Sequence, residues 1–152
     1  KKQGWKIIEN NIKTGLRNTI KNTGILGRWQ ILGKKPFVIC DTAHNEDGLK
    51  QIFKQIRETP YKTLHIVFGI VEGKKINNIL EIIPKNAIYY FCKPAVIRGI
   101  NEKKLQQKAY KKGIIGSTYT SVKKAFYAAK RQAKYDDLIF IGGSTFVVAE
   151  VI

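Results

Sequence analysis

Cysteine is scarce in this chain of 152 residues: Cys40 and Cys92 are all it has. Both sit inside apolar runs, which suits buried free thiols in a reducing compartment better than a disulfide. No CxxC pair and no Cys/His cluster occurs, so nothing in the spacing suggests a metal site. No apolar run is long enough to span a bilayer, and the opening KKQGWKIIENN lacks the apolar stretch of a secretory leader. Acidic residues are few, 11 against 28 Lys and Arg, giving a formal charge of +17. Such an excess attracts polyanions. The lysines are nevertheless scattered, and 13 Gly and 7 Tyr form no RNA-binding motif, so specific nucleic-acid binding is not expected and an anionic small substrate fits the charge as well. A Walker-type phosphate loop is missing too. GIVEGKK, residues 69–75, resembles one, but Gly69 and Gly73 stand four apart instead of five, and Lys75 occupies the position of the required hydroxyl.

What the chain does have is alternation. Residues 5–23 place Ile8, Ile12, Leu16 and Ile20 at four-residue spacing, one stripe of an amphipathic helix that Gly24 and Gly27 end. RWQIL and PFVICD read as an antiparallel hairpin turning at Gly33-Lys34-Lys35. Apolar strands at 64–70, 87–92, 114–119 and 138–143 then alternate with helical patterns near 46–58, 75–83, 101–112 and 121–134, and a last helix starts in TFVVAEVI. Continuous apolar strands between amphipathic helices predict an α/β fold: a Rossmann-like, mostly parallel sheet of about six strands, with one antiparallel edge strand and helices on both faces. The first helix stands outside this alternation, as a piece of a neighbouring domain would.

In such sheets the ligand cleft lies beyond the carboxyl ends of the strands. The first parallel strand ends in Asp41-Thr42-Ala43-His44-Asn45. Asn45 suits a helix N-cap, with Glu46 and Asp47 in the first turn, where they complement the helix dipole and repel phosphate. Asp41 can accept bonds from sugar hydroxyls, and His44 can meet a carboxylate or phosphate. On local evidence alone, a capped helix with a surface histidine explains these residues slightly better. The last strand ends in Gly142-Gly143-Ser144-Thr145, where no acid follows until Glu150 and the Ser144 hydroxyl adds a donor. A tight turn capped by Ser144 is the plain alternative. If the hairpin forms, Arg28 falls beside Asp41, either as an ion pair or as a pair addressed to a ligand that carries phosphate and sugar.

Taken together, TGILGRWQIL, PFVICDTAHNEDG, LHIVFGIVEGKK, VIRGINEKKL and DDLIFIGGSTFVVAEV resemble the carboxyl-terminal domain of folylpolyglutamate synthase/dihydrofolate synthase, the folate branch of the Mur ligase superfamily. The resemblance implies a cytoplasmic, monomeric, ATP-dependent amide ligase that joins L-glutamate to dihydropteroate or folate through an acyl phosphate. Residues 1–26 would then be the last helix of a preceding ATPase domain plus a hinge, and 27–152 the Rossmann-like glutamate-ligase domain, inactive alone. ATP would be held by Arg28 at its phosphates and Asp41 at its ribose. L-glutamate would meet His44, Ser144 and Lys74, with Asn45 and Arg98 as further candidates. No catalytic or metal-ligating residue is carried over to this domain, and Mg2+ would be held mainly by the preceding one. Two departures stand out: Gly73 and Lys75 replace the aspartates of a D-K-D loop around Lys74, and Gly99 follows Arg98 in place of alanine. The competing readings are a stand-alone basic module that binds anions or nucleic acid, and a Mur-type ligase acting on a cell-wall precursor.

Overall fold

The computed structural model describes residues 4–73 and 76–152. Its centre is a six-stranded sheet in the order β1-β2-β6-β3-β4-β5. The strands are β1 (Gln30–Lys34), β2 (Phe37–Cys40), β3 (Leu64–Phe68), β4 (Ile88–Cys92), β5 (Gly116–Tyr119) and β6 (Leu138–Gly142). Only the β1–β2 pair is antiparallel; β2–β6, β6–β3, β3–β4 and β4–β5 are parallel. The expected class, strand number and antiparallel edge are all present.

The uninterrupted apolar strands reflect burial on both faces, each with its own layer of side chains. Along β6, Leu138 and Phe140 enter one core, while Ile139 and Ile141 enter the other. That is the two-residue period of a pleated strand. The first core is covered by α3 (Glu46–Arg57), α4 (Ile76–Ile82) and α5 (Glu102–Tyr110), through residues such as Leu49, Phe53, Leu80 and Leu105. Phe53 and Phe140 meet edge to face at 5.5 Å. The second core is covered by α6 (Val122–Gln132) and α7 (Thr145–Ala149). Ala125, Ala128 and Ala129 give α6 a small-residue face against the sheet. Cys40 and Cys92 are free, buried thiols in this second core. Burial, reinforced by the Asp41 charge, pushes the Cys40 thiol up to about 11, which keeps it protonated and unreactive.

Two local expectations need correction. The stripe over 5–23 forms two helices, α1 (Glu9–Arg17) and α2 (Thr19–Thr23). At the break the Thr19 hydroxyl donates back to the carbonyls of Leu16 at 2.8 Å and Gly15 at 3.1 Å, a side-chain bond that competes with the helix ladder. Neither helix buries a residue; Ile8, Ile12, Leu16 and Ile20 are all exposed. The hairpin also turns later than expected. Gly33 and Lys34 belong to β1, whose register shifts between Ile31 and Gly33, and the turn is Lys35-Pro36.

At the amino-terminal edge of the sheet lies a buried polar chain that the sequence did not single out. His65 in β3 faces the Tyr90 hydroxyl through Nδ1 at 2.9 Å and Asp137 through Nε2 at 3.3 Å. Asp137 also accepts the amide N–H groups of Lys134 at 2.7 Å and Thr63 at 3.1 Å. The Tyr90 hydroxyl donates to Gln132 at 2.7 Å. Among the described residues no buried side-chain nitrogen or oxygen lacks a partner, this network's included, as burial requires.

Candidate functional site

The opposite edge of the sheet, where the parallel strands end, carries the candidate residues. Asp41 follows β2 directly, and its N–H bonds the Ile141 carbonyl at 3.1 Å. Its side chain turns inward: Oδ2 accepts Trp29 N–H and Oδ1 accepts Ala43 N–H, each at 2.7 Å, and the residue is only 4% exposed. Thr42 N–H adds a bond to the Gly27 carbonyl at 2.8 Å, so residues 27–29 are strapped across the end of β2. The expected proximity of Arg28 to Asp41 therefore exists along the chain, but without an ion pair among the described residues. The backbone of Trp29, at φ 42°, takes the carboxylate, and Arg28 is left exposed.

Asn45 is the N-cap of α3, accepting Gly48 N–H at 2.8 Å. Glu46 in the first turn accepts the Asn78 amide at 2.7 Å and ties α3 to α4. Asn45→Ala should cost about 1 kcal/mol, the usual worth of such a cap, while Asn45→Ser retains most of it; urea unfolding followed by circular dichroism measures both.

His44, half-buried, points Nδ1 at the Thr42 carbonyl, 3.0 Å away. A carbonyl only accepts, so Nδ1 carries the proton and Nε2 is left for a ligand. Ser144 caps α7 by accepting Phe146 N–H at 3.2 Å, which leaves its hydroxyl proton to donate. Arg98 arrives from a distant loop. Val71 and Gly99 bridge, Glu72 N–H bonds the Arg98 carbonyl at 2.8 Å, and Ile100 N–H bonds the Ile70 carbonyl at 3.0 Å. This small ladder clips the loop after β4 to the loop after β3.

His44, Arg98 and Ser144 line one cleft of about 220 Å³, together with Glu72, Thr145 and Phe146. Arg28 and Asp41 are outside it. Lys74 lies outside the described residues. The volume is below the roughly 300–1,000 Å³ of sites for drug-sized ligands, which suits a molecule the size of one amino acid. The cleft presents a guanidinium and a carboxylate, Arg98 and Glu72, both exposed. That combination complements a zwitterion, with the cation facing a carboxylate and the anion facing an ammonium group. Glu72 was missed as a site residue because only the pairing of Glu72 with Arg98 brings it to the cleft. Its place in a loop just after a parallel strand was the signal available. Among the described residues no three His, Cys, Asp or Glu side chains converge as a metal site would need.

The profile of the family "Mur ligase, glutamate ligase domain" matches residues 27–145. The chain is 29% identical over 133 residues to a probable bifunctional folylpolyglutamate synthase/dihydropteroate synthase of Haloferax volcanii, covering 86% of this chain and 16% of that protein. It is 28% identical over 150 residues to the dihydrofolate synthase/folylpolyglutamate synthase of Escherichia coli, covering 97% of this chain and 34% of that protein. The structure superimposes on E. coli FolC in complex with DHPP and ADP with a TM-score of 0.80 and 27% identity, again covering 97% of this chain and 34% of that one. The chain thus spans about a third or less of these relatives. The sheet order, the cleft at the strand ends and the match over residues 27–145 agree: the chain belongs to the Mur ligase family, through its glutamate ligase domain.

Proposed function

We propose that this chain is the carboxyl-terminal part of an ATP-dependent ligase that adds L-glutamate to dihydropteroate or folate. The observation that supports it most is the small cleft of mixed charge in a chain of the glutamate ligase family. In this reading residues 27–152 form the glutamate-ligase domain, and residues 1–26 are the last helix and hinge of a preceding ATPase domain. The exposed apolar stripe of α1 and α2 supports that division, since such a stripe is stable against a neighbouring apolar surface. The preceding domain supplies the phosphate loop that this sequence lacks and the ligands for Mg2+, for which the described residues offer no cluster. The whole enzyme is a cytoplasmic monomer.

The chemistry proceeds by transfer of the terminal phosphoryl group of ATP to the pterin substrate's carboxylate. The glutamate nitrogen then attacks the carbonyl carbon, its proton leaves, and inorganic phosphate departs. Arg28, exposed beside the hinge, meets the ATP phosphates. Asp41 shapes the ribose site, and the spare lone pairs of its carboxylate are the acceptors it offers. His44 Nε2, the Ser144 hydroxyl, Arg98 and Lys74 hold glutamate, while Asn45 orients His44 by fixing the start of α3. Docking this domain over the nucleotide excludes water from an acyl phosphate that would otherwise hydrolyse.

The test uses the full-length enzyme. His44→Ala should raise the KM for glutamate about tenfold, equivalent to roughly 1.4 kcal/mol, and leave the KM for ATP within about twofold. Arg28→Ala, at an exposed position, should do the reverse. Steady-state kinetics with each substrate varied separately measures both. Equal effects of His44→Ala on the two substrates would remove it from the glutamate site.

A further inference from the structure

The far edge of the sheet carries a second, larger groove that the ligase reading leaves unused. It has a volume of about 710 Å³ and runs between α5 and the segment entering β5. Its rim is cationic, from Lys104, Lys108 and Lys111, and its floor apolar, from Tyr110, Ile114 and Ile115. Among the described residues no acidic side chain lines it. Tyr110 and Ile115 are 71% and 74% exposed, large apolar groups that a closed surface would cover. Lys112, in the turn after α5, pairs with Glu81 of α4, whereas Lys104, Lys108 and Lys111 have no carboxylate partner among the described residues.

The groove borders β5, the last strand of the sheet, which pairs only with β4. An open strand edge offers a row of backbone donors and acceptors for one more strand. The Gly116 carbonyl at the start of β5 accepts a side-chain amide, Gln106 Nε2 at 2.6 Å, which ties α5 to this strand. The spacing along α5 fits what a strand would present. Four helical residues, as from Lys104 to Lys108, advance about 6 Å. Alternate side chains on one face of a strand advance about 6.6–6.8 Å.

We propose that β5 and α5 together form a docking site for an extended protein segment in which acidic and apolar residues alternate. The segment adds as a seventh strand against β5. Alternate residues of a strand point to opposite faces, so its carboxylates face the Lys104, Lys108 and Lys111 row on the α5 side, their methylene stems crossing Tyr110 and Ile115, while its apolar residues extend the opposite face of the sheet. A polynucleotide would match the charge but would gain nothing from the strand edge and little from an aliphatic floor.

The probe is a fluorescein-labelled eight-residue peptide alternating Glu with Val, titrated with the chain and followed by fluorescence anisotropy. Saturable binding is expected, at least about tenfold weaker for the doubly reversed variant Lys104→Glu with Lys108→Glu, both exposed positions that leave the core untouched. A peptide N-methylated at alternate nitrogens keeps its charge but loses one row of donors, and it should not bind. Equal binding of the N-methylated peptide, or of the reversed variant, would overturn strand addition at this edge. Tighter binding of an octauridylate that the same reversal abolishes would overturn it in favour of nucleic acid.

Discussion

Gly143→Ala should lose at least about 3 kcal/mol of folding stability, the sum of a strained backbone and an overfilled core. Gly143 has φ 93°, where an L side chain is itself strained. A Cβ there would also stand 2.6 Å from the Phe68 ring and 2.7 Å from the Gly69 carbonyl oxygen. Phe68 is fully buried, so the ring cannot swing away, and the carbonyl belongs to the backbone at the end of β3. The effect on thermal unfolding should be a fall of roughly 6–12 °C for a chain of this size. Gly113→Ala is the control. Gly113 also has positive φ, 75°, but nothing lies within 4 Å of its added Cβ, so only about 1 kcal/mol is expected there. A difference between the two variants measures the close approach alone. If both lose the same amount, the crowding at the end of β6 is not what requires glycine at position 143. Because Ser144 follows directly and lines the cleft, Gly143→Ala should also disturb the cleft in the fraction that stays folded.

The fold was legible wherever its cause is local. The strands that continue as apolar runs do so because both faces are covered, and that pattern can be read one residue at a time. The N-cap at Asn45 is equally local: a side-chain acceptor three residues before the amide it receives, Gly48. Legibility failed where two distant segments decide the outcome. Asp41 was expected beside Arg28, either as its ion pair or with both addressed to a ligand, yet the strap of residues 27–29 gives its carboxylate to the Trp29 amide, a result of backbone path rather than residue type. The insertion of β6 between β2 and β3 leaves no mark in hydrophobic period, because any central strand reads alike. Arg98 reaches the cleft only through the bridge between Val71 and Gly99, two loops that no spacing rule connects. The split at Asn18 was missed for another reason: both short helices keep the same four-residue stripe, so the periodicity is blind to the break.

The buried pair of His65 and Asp137 is the strongest case of a long-range device, its partners standing 72 positions apart in the sequence. Removing Asp137 should be correspondingly costly. Asp137→Ala would leave the Thr63 and Lys134 amides and the His65 Nε2 proton without an acceptor at a site that is 5% exposed. About 3–5 kcal/mol of destabilisation is expected at neutral pH. Asp137→Asn keeps one acceptor oxygen and should lose less, so it serves to follow the pH dependence. Burial alone raises the Asp137 carboxyl, but the Lys134 amide, the His65 ring and the Thr63 amide outweigh it and hold the group below the usual carboxylate range. In the unfolded chain the same group titrates near 3.9. Its contribution is therefore complete above about pH 4, where the carboxylate is ionised in both states, and is lost as pH falls through the depressed folded value. Urea unfolding of the wild type should weaken more steeply below about pH 4 than that of Asp137→Asn, the other carboxylates being common to both. Parallel curves would mean that Asp137 binds its proton equally in the folded and unfolded chain, and that its three donors do nothing to favour the charged form.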